Sequence, residues 1–235
     1  EGDERLASLS RAVRELVEDT FRVLSISFSY MEGSDSIDKF FASREAPQYA
    51  HVVYANLGDL YLEQERYQDA AETYEAFVAH DPHHPKAPVL QAQVIEAYKQ
   101  GGFPSLVLDG KKDFVERYGM DGPFWVRNPR AENEAVAEYL KANLTDLAQY
   151  YHAEAQTKGA KSDYREAANW YRKYLAYVPG EADTANTNFL LAEILYESED
   201  YAAATTEYER TSYGYPFQEK SAEAGFAAIL AYREH

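Results

Sequence analysis

The chain has 235 residues, 46% of them hydrophobic and 14% aromatic, with 40 Asp and Glu against 23 Lys and Arg for a formal net charge of −17. A chain this long can bury roughly 70–75% of the surface of its unfolded form, so its aromatic content excludes a disordered, solvating polymer. The charge excludes nucleic acid and anionic membrane surfaces as partners, and the absence of Cys excludes disulfides, thiolate metal sites and cysteine nucleophiles.

The chain opens on Glu1-Gly2-Asp3, with neither the basic nor the apolar segment of a leader, and reads as a processed chain or an excised piece. Residues 3–31 carry apolar side chains at helical spacing, among them Leu6, Leu9, Val13, Leu16, Phe21, Leu24 and Phe28. Glu32-Gly33-Ser34-Asp35 breaks that helix, and Ser36 to Phe41 reads as a short second one. Residues 1–50 are therefore expected to form an N-terminal helical cap or a worn repeat.

A repeated phrase begins at residue 51. Tyr54, Leu57-Gly58 and Tyr61 are followed by Tyr67, Ala70, Tyr74, Phe77 and Pro82. Tyr164, Ala167, Tyr171, Tyr174 and Pro179 repeat the second half at a constant offset of 97. Leu147-Ala148 and Tyr151 restate its first half, with about seven extra residues between the helices. A third copy runs through Leu191-Ala192, Tyr201, Ala204, Tyr208 and Pro216. A degenerate copy keeps Tyr98 and Phe114 but has Ile95 for the small residue and Val107 for Ala.

This pattern resembles the tetratricopeptide repeat family, whose unit is a pair of antiparallel helices in about 34 residues. The resemblance implies an all-α fold, a right-handed superhelical solenoid of about four to five helix pairs. Residues 51–118 form a front pair of repeats and 132–218 a rear pair. Residues 219–235 begin a further helix, whose apolar end hints that the natural chain continues.

Between the two pairs, residues 119–131 combine two Gly, two Pro, Phe124 and Trp125. Such dense turn chemistry marks a connecting loop. Two readings stand: a structural bridge in which Phe124 and Trp125 plug the seam, or a protruding docking loop.

Catalytic signatures are missing: no HExxH, no Walker loop, no GxSxG, no GxGxxG. The chain is read as no enzyme, with no cofactor and no metal. His80-Asp81-Pro82-His83-His84 falls at the repeat-closing proline and reads as an inter-repeat turn rather than a metal site. Asn143-Leu144-Thr145 matches a glycosylation sequon inside a predicted helix, an accidental match. No run approaches the roughly 20 apolar residues of a membrane span.

In the family, the first helix of each pair lines a concave groove. Carried over residue by residue, the lining is Asp59, Leu62 and Glu63, then Glu96 and Lys99, then Gln149 and His152, and finally Phe189, Glu193, Tyr196 and Glu197. The set is acidic and predicts a basic or amphipathic protein or peptide partner. Tetratricopeptide co-chaperones grip acidic C-terminal peptides with Lys, Arg and Asn in the groove, whereas the matching positions here are largely acidic. The expected function is a protein-binding scaffold or adaptor, similar to periplasmic and lipoprotein-borne bacterial members. The periplasm or envelope is the expected location, with the cytoplasm as the alternative. Self-assembly through the apolar stretch Ala224–Tyr232, or a recruiting role within a larger protein, are the alternative functions.

Overall fold

The computed structural model describes residues 10–42, 47, 49–180 and 183–235, and among them there is no strand. Residues 3–9 of the first predicted helix lie outside this range. The chain divides into two compact units, the first running to Tyr118 and including Gly122–Val136, the second made of Gly119–Asp121 and Ala137–His235. Within each, consecutive helices pack as neighbours, as the repeat pattern requires.

In the first unit, helices α1 (Arg11–Ser29) and α2 (Ser34–Ala42) pack against α3 (Ala50–Glu63). Ile37 and Phe41 of α2 are buried, Phe41 lies 6.5 Å from the Tyr54 ring, and the Tyr54 hydroxyl donates to Asp38. Helix α3 pairs with α4 (Tyr67–His80), and α5 (Ala87–Gln100) with α6 (Pro104–Tyr118). Gly58 of α3 lets the Tyr74 ring of α4 close against the helix: a Cβ at Gly58 would lie 2.2 Å from Tyr74 Cε1. The degenerate pair inverts this solution. Ile95 supplies the bulk on α5, and Gly110 on α6 gives way, its position only 3.1 Å from Ile95 Cγ1.

The predicted loop is no free connector. It contains the short helix α7 (Phe124–Arg127) and a 3-10 turn, Arg130–Glu132. Phe124 is fully buried and meets Tyr118 edge to face at 5.2 Å. Trp125 Nε1 donates to the Tyr118 carbonyl at 2.9 Å, and Asn128 Nδ2 to the His83 carbonyl at 3.0 Å. Phe124 is therefore corrected from a docking residue to a plug in the seam. The histidine turn serves packing too, with the His84 ring 5.2 Å from Phe77 and 4.9 Å from His51.

The second unit takes most of α8 (Glu134–Lys158), then α9 (Lys161–Tyr177), α10 (Thr184–Glu197), α11 (Tyr201–Glu209) and α12 (Ser221–Glu234). The seven extra residues are not an inter-helix loop. They lengthen the end of α8, to Lys158, and the start of α9, at Lys161, and leave only two residues between the helices. Tyr151 of α8 stacks on Trp170 of α9 at 5.9 Å. Asn143 is buried in α8.

Ala167 is 0% exposed, at a position of close helix approach. Ala167→Phe is expected to overpack the unit and destabilise it by about 1–3 kcal/mol. Unchanged denaturant melting of this variant would contradict the repeat register.

In the last pair, polar side chains replace rings. Asn188 and Thr211 stand where the first repeat has Tyr54 and Phe77, whose rings lie 5.6 Å apart. Asn188 Nδ2 instead donates to Thr211 Oγ1 at 3.0 Å and to the Glu207 carbonyl at 2.8 Å. The backbone widens there into a π-turn, Arg210–Gly214. The bonds to the α11 backbone give this irregular segment a partner inside the core.

The turns inside the pairs share one device. Glu65, Gly102, Gly159 and Glu199 all adopt positive φ just past the ends of α3, α5, α8 and α10. In three of them the next amide reaches back five residues, Arg66 to Tyr61, Phe103 to Tyr98 and Asp200 to Leu195, at 2.8–2.9 Å. This is the left-handed helix stop that glycine adopts most cheaply. Glutamate accepts it in two repeats.

Candidate functional site

The predicted lining residues fall on α3, α5, α8 and α10, the first helices of their pairs. In the first unit Asp59 and Glu63 are exposed and Leu62 is half-buried. Asp59 accepts a hydrogen bond from the Tyr74 hydroxyl at 2.7 Å, which fixes its carboxylate over the α3–α4 seam. Burial and then this carboxylate hold the Tyr74 phenol far above its ordinary range. On α5, Glu96 meets Lys99 Nζ at 3.5 Å and receives the Gln100 amide at 3.2 Å. That pairing softens the acidity of the front face.

The second unit assembles a more concentrated site. Thr145 and Gln149 of α8 face Asn186, Thr187 and Leu190 of α10 across a cleft of about 180 Å³ floored by Tyr171 and Tyr174. Beside it, Gln156 Nε2 donates to His152 Nε2 at 3.2 Å, so the neutral imidazole keeps its proton on Nδ1 and donates to the Tyr171 hydroxyl at 2.8 Å. Burial lowers the His152 pKa, against the opposing pull of Glu197. The Tyr171 phenol is pushed up to about 12, by burial first and then by Glu193. Glu193 is itself raised, chiefly by burial, with Glu223 and Glu197 adding repulsion and Lys220 opposing them.

These couplings bring His152, Glu193 and Glu197 together around Tyr171, Gln149 lines the cleft with Tyr171, and half-buried Tyr196 belongs to the same helix face as Glu193. Phe189 does not. It is 3% exposed, packs on Tyr208 at 5.7 Å and lies under Lys220 Nζ. Placing it in the groove is corrected: one helical position is about 100° of rotation, enough to turn a side chain from the lining face to the seam. The cleft's floor was legible only as core, because Tyr171 and Tyr174 occupy seam positions whose ring edges also reach the cleft.

The site offers carboxylates, amides and hydroxyls over an aromatic floor, suited to holding a cationic or polar chain by hydrogen bonds. Among the described residues no helix is long and apolar enough to cross a membrane. A family model described as tetratricopeptide repeat matches residues 56–101 and 152–219, and these spans include α8 from His152 and all of α10. No curated protein matches the chain.

Proposed function

Since the chain belongs to the tetratricopeptide repeat family, whose repeats mediate protein–protein interaction and scaffolding, we propose that it is a non-catalytic adaptor whose first-helix faces bind a basic or amphipathic segment of a partner protein. The observation that carries this reading is the clustering of Glu193 and Glu197 with His152 beside the amide-walled cleft. Glu193 is held up chiefly by burial, with Lys220 already opposing the repulsion of Glu223 and Glu197, and an incoming cation adds to that relief. The chain's net charge of −17 steers basic partners towards it and repels acidic ones. The setting proposed is a bacterial envelope complex, on the likeness of the chain's tyrosine-rich repeats to those of envelope members.

A fluorescein-labelled Lys/Gly peptide, titrated with the full chain at low and physiological salt, tests the reading. Binding is expected to weaken by about tenfold when Asp59, Glu63, Glu96, Glu193 and Glu197 are changed to Asn or Gln, with a shallower salt dependence. A Glu/Gly peptide is expected not to bind. Equal affinity of the parent and the neutralised variant would overturn the acidic face as the site.

A further inference from the structure

The last helix shares the register of α10. Ala185, Asn188, Ala192 and Leu195 are among the buried residues of α10, and Ser221, Ala224, Ala228 and Ala231 are buried in α12 at a constant offset of 36. The same offset carries the lining positions Leu190, Glu193, Tyr196 and Glu197 onto Phe226, Ile229, Tyr232 and Arg233. Phe226 is 63%, Ile229 61% and Tyr232 71% exposed. The start of α12 meets α10 here: Lys220, just before α12, places its Nζ 4.7 Å over the Phe189 ring, and Lys220 and Glu223 both act on the Glu193 carboxyl. A row of carboxylates on α10 thus runs beside a row of large apolar side chains on α12. The apolar row is not the packing face of its helix, which is the adjoining, alanine-rich one.

We propose that these two rows together form the seat of a basic amphipathic helix from another protein, its apolar stripe on Phe226, Ile229 and Tyr232 and its Lys or Arg flank against Glu193 and Glu197. This rests on the adaptor reading above and deepens it, since an acidic face alone accepts any basic chain. Two parallel stripes of different chemistry match a ligand that carries apolar and cationic residues on adjoining sides, which a helix does at i, i+3, i+4 and i+7 spacing. Charge selects a foreign partner over a second copy: two chains each of net charge −17 repel. Exposed apolar side chains grouped on one helix face mark an interaction surface.

The probe is a labelled synthetic Lys/Leu peptide of about five helical turns with all Leu on one side, compared with a peptide of the same composition in scrambled order. Anisotropy titrations use the full chain, the Phe226→Ser/Ile229→Ser variant, the Glu193→Gln/Glu197→Gln variant, and Glu138→Gln/Glu209→Gln as a charge control. The changed apolar side chains are exposed, and circular dichroism checks that each variant keeps its helices. The ordered peptide is expected to bind at least about fivefold tighter than the scrambled one, each site variant to lose about fivefold or more, and the control to lose nothing. If the scrambled peptide binds equally well and only the Glu variant weakens it, the acidic adaptor face survives and the amphipathic seat is overturned. If neither peptide binds, both readings fall. If Phe226→Ser/Ile229→Ser changes only self-association in sedimentation, the occupant is a second copy and the inference fails.

Discussion

Tyr74→Ala is expected to destabilise the first unit by about 3–5 kcal/mol, the range for losing a fully buried aromatic ring. The ring is 0% exposed and occupies the space that a Cβ at Gly58 of α3 would need. Its hydroxyl reaches Asp59, an exposed carboxylate that water can resolvate, so Tyr74→Phe should cost only about 1 kcal/mol. The informative variant is Gly58→Ala. Alone it places a methyl group inside the Tyr74 ring and should cost about 1–3 kcal/mol. On the Tyr74→Ala background the obstruction is gone, and Ala exceeds Gly in helix propensity by about 1 kcal/mol. The same substitution should then become neutral or stabilising. Urea denaturation of the two single variants and the double variant reads this coupling directly. Strict additivity would show that Gly58 and Tyr74 do not form the closest approach between α3 and α4.

That coupling also indicates which parts of the fold were legible in the sequence. Gly58, Ala70, Tyr74 and Phe77 recur because a seam between two helices tolerates few sizes, so spacing alone located the helix pairs. Where two positions exchange roles the pattern fades. Ile95 with Gly110 does the work of Gly58 with Tyr74, yet it reads as a degenerate copy because the bulk has moved to the other helix. Asn188 and Thr211 are invisible as a pair for the same reason, a hydrogen bond having taken over from two rings. The site was less legible than the seams. Lining positions are fixed by rotation about a helix rather than by contact, and an error of one residue sent Phe189 into the groove. Conversely, Phe226, Ile229 and Tyr232 read as an apolar stretch for stacking copies. Their place in the lining register emerges only once the buried alanines of α12 define its packing face.

The segment between the two repeat pairs gives the sharpest contrast between a structural and a recognition role. Phe124 is 0% exposed and sits edge to face with both Tyr118 and Trp125, at 5.2 and 5.3 Å. Tyr118 in turn meets Phe114 at 5.0 Å, so truncating Phe124 opens a cavity at the end of a chain of rings. The Tyr118 hydroxyl is buried and has no hydrogen-bond partner among the described residues, and burial drives its pKa well above the ordinary phenol value. This ring is held by packing rather than by its polar end, and it depends on Phe124 to fill the space beside it. Phe124→Ala is therefore expected to cost about 3–5 kcal/mol. Neighbouring Val126 is 86% exposed, and Val126→Ser should stay within about 0.5 kcal/mol of the parent. Thermal and urea melts of the two variants separate the roles. A docking residue would leave the melt unchanged while weakening the Lys/Leu peptide, whereas a plug lowers the melt and leaves peptide affinity intact at temperatures where the unit is folded. An unchanged melt for Phe124→Ala would return the 119–131 segment to the surface as a recognition loop.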